Sequence, residues 1–457
     1  MTADTGTRNF AAGPVRWTLA LTQFLLIIDI AVLNVAAPHI AADVGISSAA
    51  QSWIINAFVI PFAGLLLAAG YLADRHGSRR TMTCGLIVLA AGGFLGVVAA
   101  DPATVLTSRV VQGVGGALAG AAAMSLLFHL FAGAERGRAL ALFATMAGAG
   151  GVAGTLLSGT FTDWFGWRSL FALHVVGALA LAAAARRVVP ADPVRAVRVG
   201  ERALPGAIAV TIALAATAYA ITGMAIYPWR CAHIWGAGGL AVLAAAVFVR
   251  AEARATEPII ARTVRSNRSL LTALGLAATA QLALTPLFLL VSVYPQQHMG
   301  YSATEAGLVL LPMSVLIVAF APNLSRLVDR FGPRGVMTAA FATIAVGAGT
   351  LASLLDPSRG YLALLGPTLL IGLGVPAVAV TTNIATATAA GETSAGALAG
   401  LLTTVQQFGA AIGLAVIPAV AAAGGGGYPL ALATVAVFAM GAALVAGSRG
   451  RHRRARR

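Results

Sequence analysis

The chain has 457 residues, of which 59% are hydrophobic and only 10% charged, with a mean hydropathy of +0.87. Too few polar groups are present to cover a water-soluble globule, so the chain reads as an integral membrane protein. Its net charge of +15 lies in short clusters between apolar runs, without the aromatic interleaving or continuous basic face that nucleic acid requires, so no nucleic-acid partner is expected.

All 30 basic residues are arginine, which together with abundant Ala and Gly looks like the codon bias of a GC-rich bacterium. The first apolar run, Trp17 to Ala37, follows Arg8 and Arg16. At about 20 residues it exceeds the apolar stretch of a cleaved leader and is expected to be retained. Asp29 lies deep within it, alone among the 15 acidic residues in such a position. A carboxylate at that depth is costly, so Asp29 is either paired and structural or handles protons and cations.

Further runs follow near 52–73, 81–100, 103–131, 139–161 and 169–185, then 203–224 and 232–249, then 270–293, 304–325, 336–355, 361–389, 395–420 and 428–447. Each is about the 20 residues that cross a bilayer core, giving fourteen predicted transmembrane helices in an all-α fold. The arginines test that count. With both termini cytoplasmic, 26 arginines fall in inner segments and only Arg168, Arg230 and Arg359 in outer loops, leaving Arg109 within a helix. That asymmetry follows the retention of positively charged short loops on the cytoplasmic side. Cys84 and Cys231 then fall on opposite sides and should not bridge.

Asp74-Arg75-His76-Gly77-Ser78-Arg79 recurs as Asp329-Arg330-Phe331-Gly332-Pro333-Arg334, and Glu135 is echoed more weakly by Glu392 at nearly the same offset. The predicted organisation is two six-helix bundles in parallel orientation, 17–187 and 269–447, with two inserted helices within 188–268. Cytoplasmic tails occupy 1–16 and 448–457. An inserted pair crosses twice, so orientation is preserved.

Several segments carry polar groups of interest. The fourth has Arg109-Val110-Val111-Gln112-Gly113, with Gln112 one turn deeper than Arg109 on nearly the same face. Arg109 either snorkels to the interface or acts on a nearby carboxylate or water. Asp29 and Asn34 project from different faces of the first segment. Gln281, Gln406 and Gln407 are candidate cavity groups or inter-helix hydrogen-bonders in the second half. Pro38, Pro61, Pro286, Pro312, Pro367, Pro376 and Pro418 are expected at kinks and helix ends. His129 and His174 are expected to be satisfied or interfacial imidazoles. The Gly148 to Gly154 run has no preceding strand and is not a nucleotide loop. No histidine and carboxylate cluster has metal spacing, and no serine has nucleophile partners, so an enzyme is not expected.

Gly70-Tyr71-Leu72-Ala73-Asp74-Arg75-His76-Gly77-Ser78-Arg79-Arg80 resembles the signature between the second and third helices of the major facilitator superfamily. Asp29-Ile30-Ala31-Val32-Leu33-Asn34-Val35-Ala36-Ala37-Pro38 is similar to a motif of its fourteen-helix drug:proton antiporter branch, and the Arg109 segment to a motif linked to proton transfer. The resemblance covers almost the whole chain. It departs in the fifth segment, where Gly154-Thr155 and Ser158-Gly159 stand in place of Gly-Pro and a Gly pair, and at His174, where the branch usually has asparagine.

The resemblance implies proton-coupled efflux of small hydrophobic or amphipathic compounds, with antibiotics among them, across the bacterial cytoplasmic membrane by alternating access. It implies no cofactor beyond the proton gradient, a lipid bilayer and a small-molecule substrate as partners, and a monomer. Asp29 and Arg109 would couple protons, and Asn34, Gln112, Gln281, Gln406 and Gln407 would face the cavity. Gly70, Asp74, Arg75, Gly77, Arg79, Asp329, Arg330, Gly332 and Arg334 would form a conformational latch, and Gly154, Thr155, Ser158 and Gly159 would pack the fifth helix. The missing proline leaves open a proton-linked importer or facilitator on the same fold, and a non-transporting scaffold or sensor is a further alternative.

Overall fold

The computed structural model describes residues 12–454 apart from 48–49, 132, 191–202, 228–230, 255–266, 321–322, 357–359, 391–394 and 424–426. Helices account for the regular structure among them. The first six are α1 (Ala12–Val44), α2 (Trp53–His76), α3 (Ser78–Val97), α4 (Pro102–Leu130), α5 (Gly133–Phe165) and α6 (Arg168–Val188). Next come α7 (Ala203–Ile226) and α8 (Ala232–Arg254). The last six are α9 (Arg268–His298), α10 (Ala303–Phe320), α11 (Leu324–Leu354), α12 (Gly360–Ala390), α13 (Ala395–Ala423) and α14 (Gly427–Arg454). Ten helices among the described residues are long and apolar enough to cross a membrane, and Trp53–Leu66, Ile208–Ile221 and Ala303–Ile317 are shorter apolar stretches. In hydrocarbon every backbone group must be satisfied within the chain, and a helix does that by itself.

Helix lengths exceed the apolar runs because polar residues extend several helices past the bilayer core. α1 begins five residues before Trp17 and continues beyond Pro38 to Val44. The prolines expected at kinks and ends all lie inside helices. Asp101 accepts a hydrogen bond from the Thr104 amide at 3.0 Å and caps α4, with Pro102 in the first helical position.

The repeated signature marks the same backbone event twice. Gly77 separates α2 from α3 with φ of +95°, and Gly332 bends α11 with φ of +74°. Only glycine enters that region without steric cost. The second copy therefore breaks its helix at Gly332 much as the first does at Gly77, and Asp329, Arg330 and Arg334 are exposed there. In the first copy Gly70 is half-buried and Arg75 is exposed; the Asp74 side chain lies outside what is described. Glu135 pairs with Arg16 at 3.3 Å and with Arg138 at 3.0 Å on the face that holds the chain ends, while its echo Glu392 lies outside the described residues.

Two large apolar cores form, with a small third cluster around Leu270, Leu274 and Leu401. One gathers Leu19, Leu26 and Val32 of α1 with Phe58 of α2, Leu86 and Leu89 of α3, Leu126 of α4 and Phe171 of α6. The other gathers Leu287 of α9 with Met313 of α10, Phe341 and Ile344 of α11, Ile371 of α12, Ile417 of α13 and Val435 of α14. α7 packs against α2, α8 and α13, which puts the inserted pair where the two cores adjoin. α8 presents Trp235, Val242, Leu243 and Val249 outward, an apolar stripe suited to lipid.

Candidate functional site

Asp29 sits near the middle of α1 and is 1% exposed. Arg109 of α4, the largest side chain in the molecule with no exposure, reaches across to it. Its Nη2 donates to Asp29 Oδ2 at 2.8 Å and its Nη1 to Oδ1 at 3.1 Å, so the guanidinium fork and the carboxylate meet edge to edge. Two parallel charge-assisted bonds of this kind fix orientation as well as charge. Arg109 is thus turned inward rather than snorkelling to the interface.

Two of the three remaining donors of Arg109 are also used. Nε donates to the Ile54 carbonyl of α2 at 3.2 Å, Nη1 also donates to Gln112 Oε1 at 2.6 Å, and the Phe58 ring lies 4.6 Å from the guanidinium carbon. A buried cation left without such partners would cost several kcal/mol. Gln112 completes the circuit, its Nε2 lying 3.5 Å from Asp29 Oδ1. The helices come close enough because Gly113 has no side chain: a Cβ there would fall 2.4 Å from the Phe58 carbonyl oxygen.

His174 of α6 joins this cluster, contrary to the satisfied or interfacial imidazole expected from its sequence position. It is 2% exposed, with Nε2 3.2 Å from Asp29 Oδ1 and Nδ1 2.7 Å from the Leu170 carbonyl. Three of the four groups were legible as polar residues in apolar runs. The missed signal for His174 was its asparagine-replacing identity, which marked a polar position facing inward.

The other sequence candidates lie apart. Asn34 is buried on α1, with no hydrogen-bond partner for its Oδ1. Gln281 on α9 and Gln406 and Gln407 on α13 are half-buried, and no hydrogen bond among the described residues joins them to Asp29. In α5, a Cβ on Gly154 would fall 2.7 Å from the Ala31 Cβ, and Ser158 Oγ donates to the Val32 carbonyl, so both seat α5 on α1. The Thr155 side chain lies outside what is described.

A second polar group, missed entirely from sequence, ties the halves together at the face opposite the chain ends. Asp163 near the end of α5 accepts hydrogen bonds from the Ala303 amide at 3.2 Å and the Thr304 amide at 2.8 Å, capping α10 from the other half. Gly159 lets that approach happen, since a Cβ there would sit 2.6 Å from the Ala303 carbonyl oxygen. On the same side, Gln297 Nε2 donates to Gln51 Oε1 at 3.2 Å and Gln296 Nε2 to the Val35 carbonyl at 3.1 Å. No group of three or more metal-ligating side chains occurs among the described residues.

A family model described as Major Facilitator Superfamily matches residues 19–414. The chain is 33% identical over 422 residues to the cephamycin export protein CmcT of Amycolatopsis lactamdurans, covering 90% of this chain and 85% of that one. It is 32% identical over 415 residues to the puromycin resistance protein of Streptomyces alboniger, covering 88% and 81%. The lincomycin resistance protein of Streptomyces lincolnensis is 29% identical over 410 residues, covering 88% and 83%. Among solved structures, a POT peptide transporter superposes with a TM-score of 0.72 at 15% identity, covering 96% of this chain and 94% of that one; at that identity the likeness speaks to fold alone. The family match and the full-length relatives agree with the helical architecture: the chain belongs to the major facilitator superfamily of multi-pass membrane transporters.

Proposed function

We propose that the protein exports small hydrophobic or amphipathic compounds, antibiotics among them, across the bacterial cytoplasmic membrane in exchange for protons. Export and resistance are what the names of these relatives describe. The observation that carries the coupling is the Asp29 carboxylate buried at mid-membrane and clamped by Arg109. An ionisable group at that depth is retained at a steep solvation cost, which a purely structural pair of apolar residues would avoid.

In this reading both termini are cytoplasmic, and 17–187 and 269–447 act as rocking halves around a central path, with 188–268 supplying the inserted pair. The Asp163 cap and the Gln51 and Gln296 contacts then fasten the external side, so the conformation described is closed to the outside. Asn34, Gln281, Gln406 and Gln407 are the cavity groups, the Gly77 and Gly332 signatures the cytoplasmic latch, and one chain is the working unit. The fold is shared with a D-xylose–proton symporter at a TM-score of 0.68, so direction of coupling rests on the relatives and not on the fold.

The test is cellular accumulation of puromycin, lincomycin and a cephamycin in pump-deficient bacteria. Cells expressing the protein should accumulate less of at least one drug, collapse of the proton gradient should restore accumulation, and an equally abundant Asp29→Asn variant should behave like empty cells. Normal export by Asp29→Asn would sink the coupling mechanism, and proton movement in the same direction as the drug would establish an importer-type symport instead.

A further inference from the structure

His174 is the one titratable group in the buried cluster whose hydrogen bonding is incomplete. The Leu170 carbonyl 2.7 Å from Nδ1 can only accept, so Nδ1 carries a hydrogen. In a neutral ring Nε2 then holds a lone pair. That lone pair is buried, has no donor to satisfy it, and faces Asp29 Oδ1 at 3.2 Å. Two acceptors at that distance repel each other unless a proton lies between them. Both oxygens of Asp29 already accept from the Arg109 fork, so the free lone pair at this contact is the one on Nε2.

We propose that Nε2 of His174, facing Oδ1 of Asp29, is the proton-binding atom of this cluster, so that the coupling proton travels on an imidazole held by an ionised Asp29–Arg109 pair. The proposal rests on the export reading for its transport role. In the step itself a proton adds to the Nε2 lone pair and gives an imidazolium that donates to Oδ1; its departure restores the neutral ring with hydrogen on Nδ1, and no other bond changes. Binding the proton ties α6 to α1. Losing it leaves two lone pairs facing each other, a repulsion relieved when the helices part, which links occupancy to movement within the first half.

The charged surroundings are few. From α1 the group facing the ring is Asp29, with Arg16, His39 and Asp43 towards the helix ends; from α4 it is Arg109, beside the amide of Gln112. α3 carries Arg79, Arg80 and Cys84 in its first two turns and none further along. The titratable groups of α5 are Glu135, Arg136 and Arg138 at one end and Asp163 at the other, and those of α6 besides His174 are Arg168, Arg186 and Arg187 at its ends. Among the described residues Asp29 and Arg109 are therefore the only charges beside the ring, and of the two Asp29 attracts a proton there.

The experiment is nitrogen NMR of full-length protein labelled with 15N-histidine in lipid nanodiscs, with the His174 signals assigned by difference against His174→Asn. Nδ1 should stay protonated throughout, while Nε2 gains a proton on acidification. Asp29→Asn should lower that transition by at least about one pH unit, a tenfold loss of proton affinity. An Nε2 that stays unprotonated on acidification, or a transition untouched by Asp29→Asn, overturns the proposal. Should Asp29→Asn not fold, drug efflux decides: His174→Asn should flatten the pH profile that the wild type follows, and an unchanged profile overturns the proposal equally. Wild-type export insensitive to collapse of the proton gradient would instead overturn the export-coupling reading, while the NMR transition still reports the proton site.

Discussion

Arg109 does two separable jobs at the level of a single residue. It neutralises Asp29, and its planar fork holds the carboxylate, the Ile54 carbonyl and Gln112 in one arrangement. Replacing it with alanine strands a buried carboxylate, a loss of about 3–5 kcal/mol for a broken buried pair. Arg109→Ala should accordingly fold poorly, seen as a lower midpoint in thermal unfolding of the detergent-solubilised protein. Arg109→Lys restores the charge but not the fork, so its midpoint should lie nearer the wild type while transport stays impaired. A lysine variant with full transport would mean that charge alone matters. Asp29 and Arg109 were legible in the sequence because ionisable residues inside apolar runs stand out against hydrocarbon. Their pairing was not, since they are 80 positions apart and only the packing of α1 on α4 brings them together. His174 was harder still: its distance from the helix start suggested an interfacial ring, and nothing in the local pattern says that this face of α6 meets Asp29.

Helices were the most legible level, because a bilayer core sets one length and every crossing must meet it. The fourteen apolar runs and the fourteen helices α1–α14 among the described residues correspond one to one. What the pattern could not convey was how an element ends when its neighbour, rather than its own sequence, satisfies it. Asp163 lies just past its apolar run and reads as an ordinary loop-side polar residue, yet it supplies the N-terminal cap of α10 from the opposite half. Asp163→Ala removes that cap, worth about 1 kcal/mol by comparison with other helix caps, or roughly a fivefold shift in population. Pairs of spin labels on the ends of α3 and α11 at the Asp163 face should report longer distances in the variant; an unchanged distribution would mean that the contact does not help hold the halves together there. The kink at Gly332 carries a related lesson. A shared hexad identified the repeat, and its glycine bends the backbone in both copies, but the angle each break sets between its helices is a matter of packing.

For the molecule as a whole, the strongest sequence signal was the split of arginines between alternate loops. It makes a direct prediction about orientation. A fluorescent protein that matures only in the cytoplasm should glow when fused to either end, and alkaline phosphatase, active only outside, should work when inserted after Gly166 but not at the termini. Activity at a terminus would invert the topology and place the Asp163 contacts on the cytoplasmic side. The arrangement of α7 was beyond the sequence, because its largely apolar surface carries no charge that would select a neighbour over lipid.

That placement makes the two flanks of the molecule unequal. Two lateral seams run between the halves, one bordered by α2 and α13 and the other by α5 and α10, and α7 fills the first. Thr211 of α7 lies so near Gly64 of α2 that a Cβ there would collide with it, and Trp53 stacks at a tilt on Tyr219 with ring centres 6.1 Å apart. The two flanks are therefore built differently: α7 walls the seam between α2 and α13, whereas at the α5–α10 flank the halves meet helix to helix with nothing inserted.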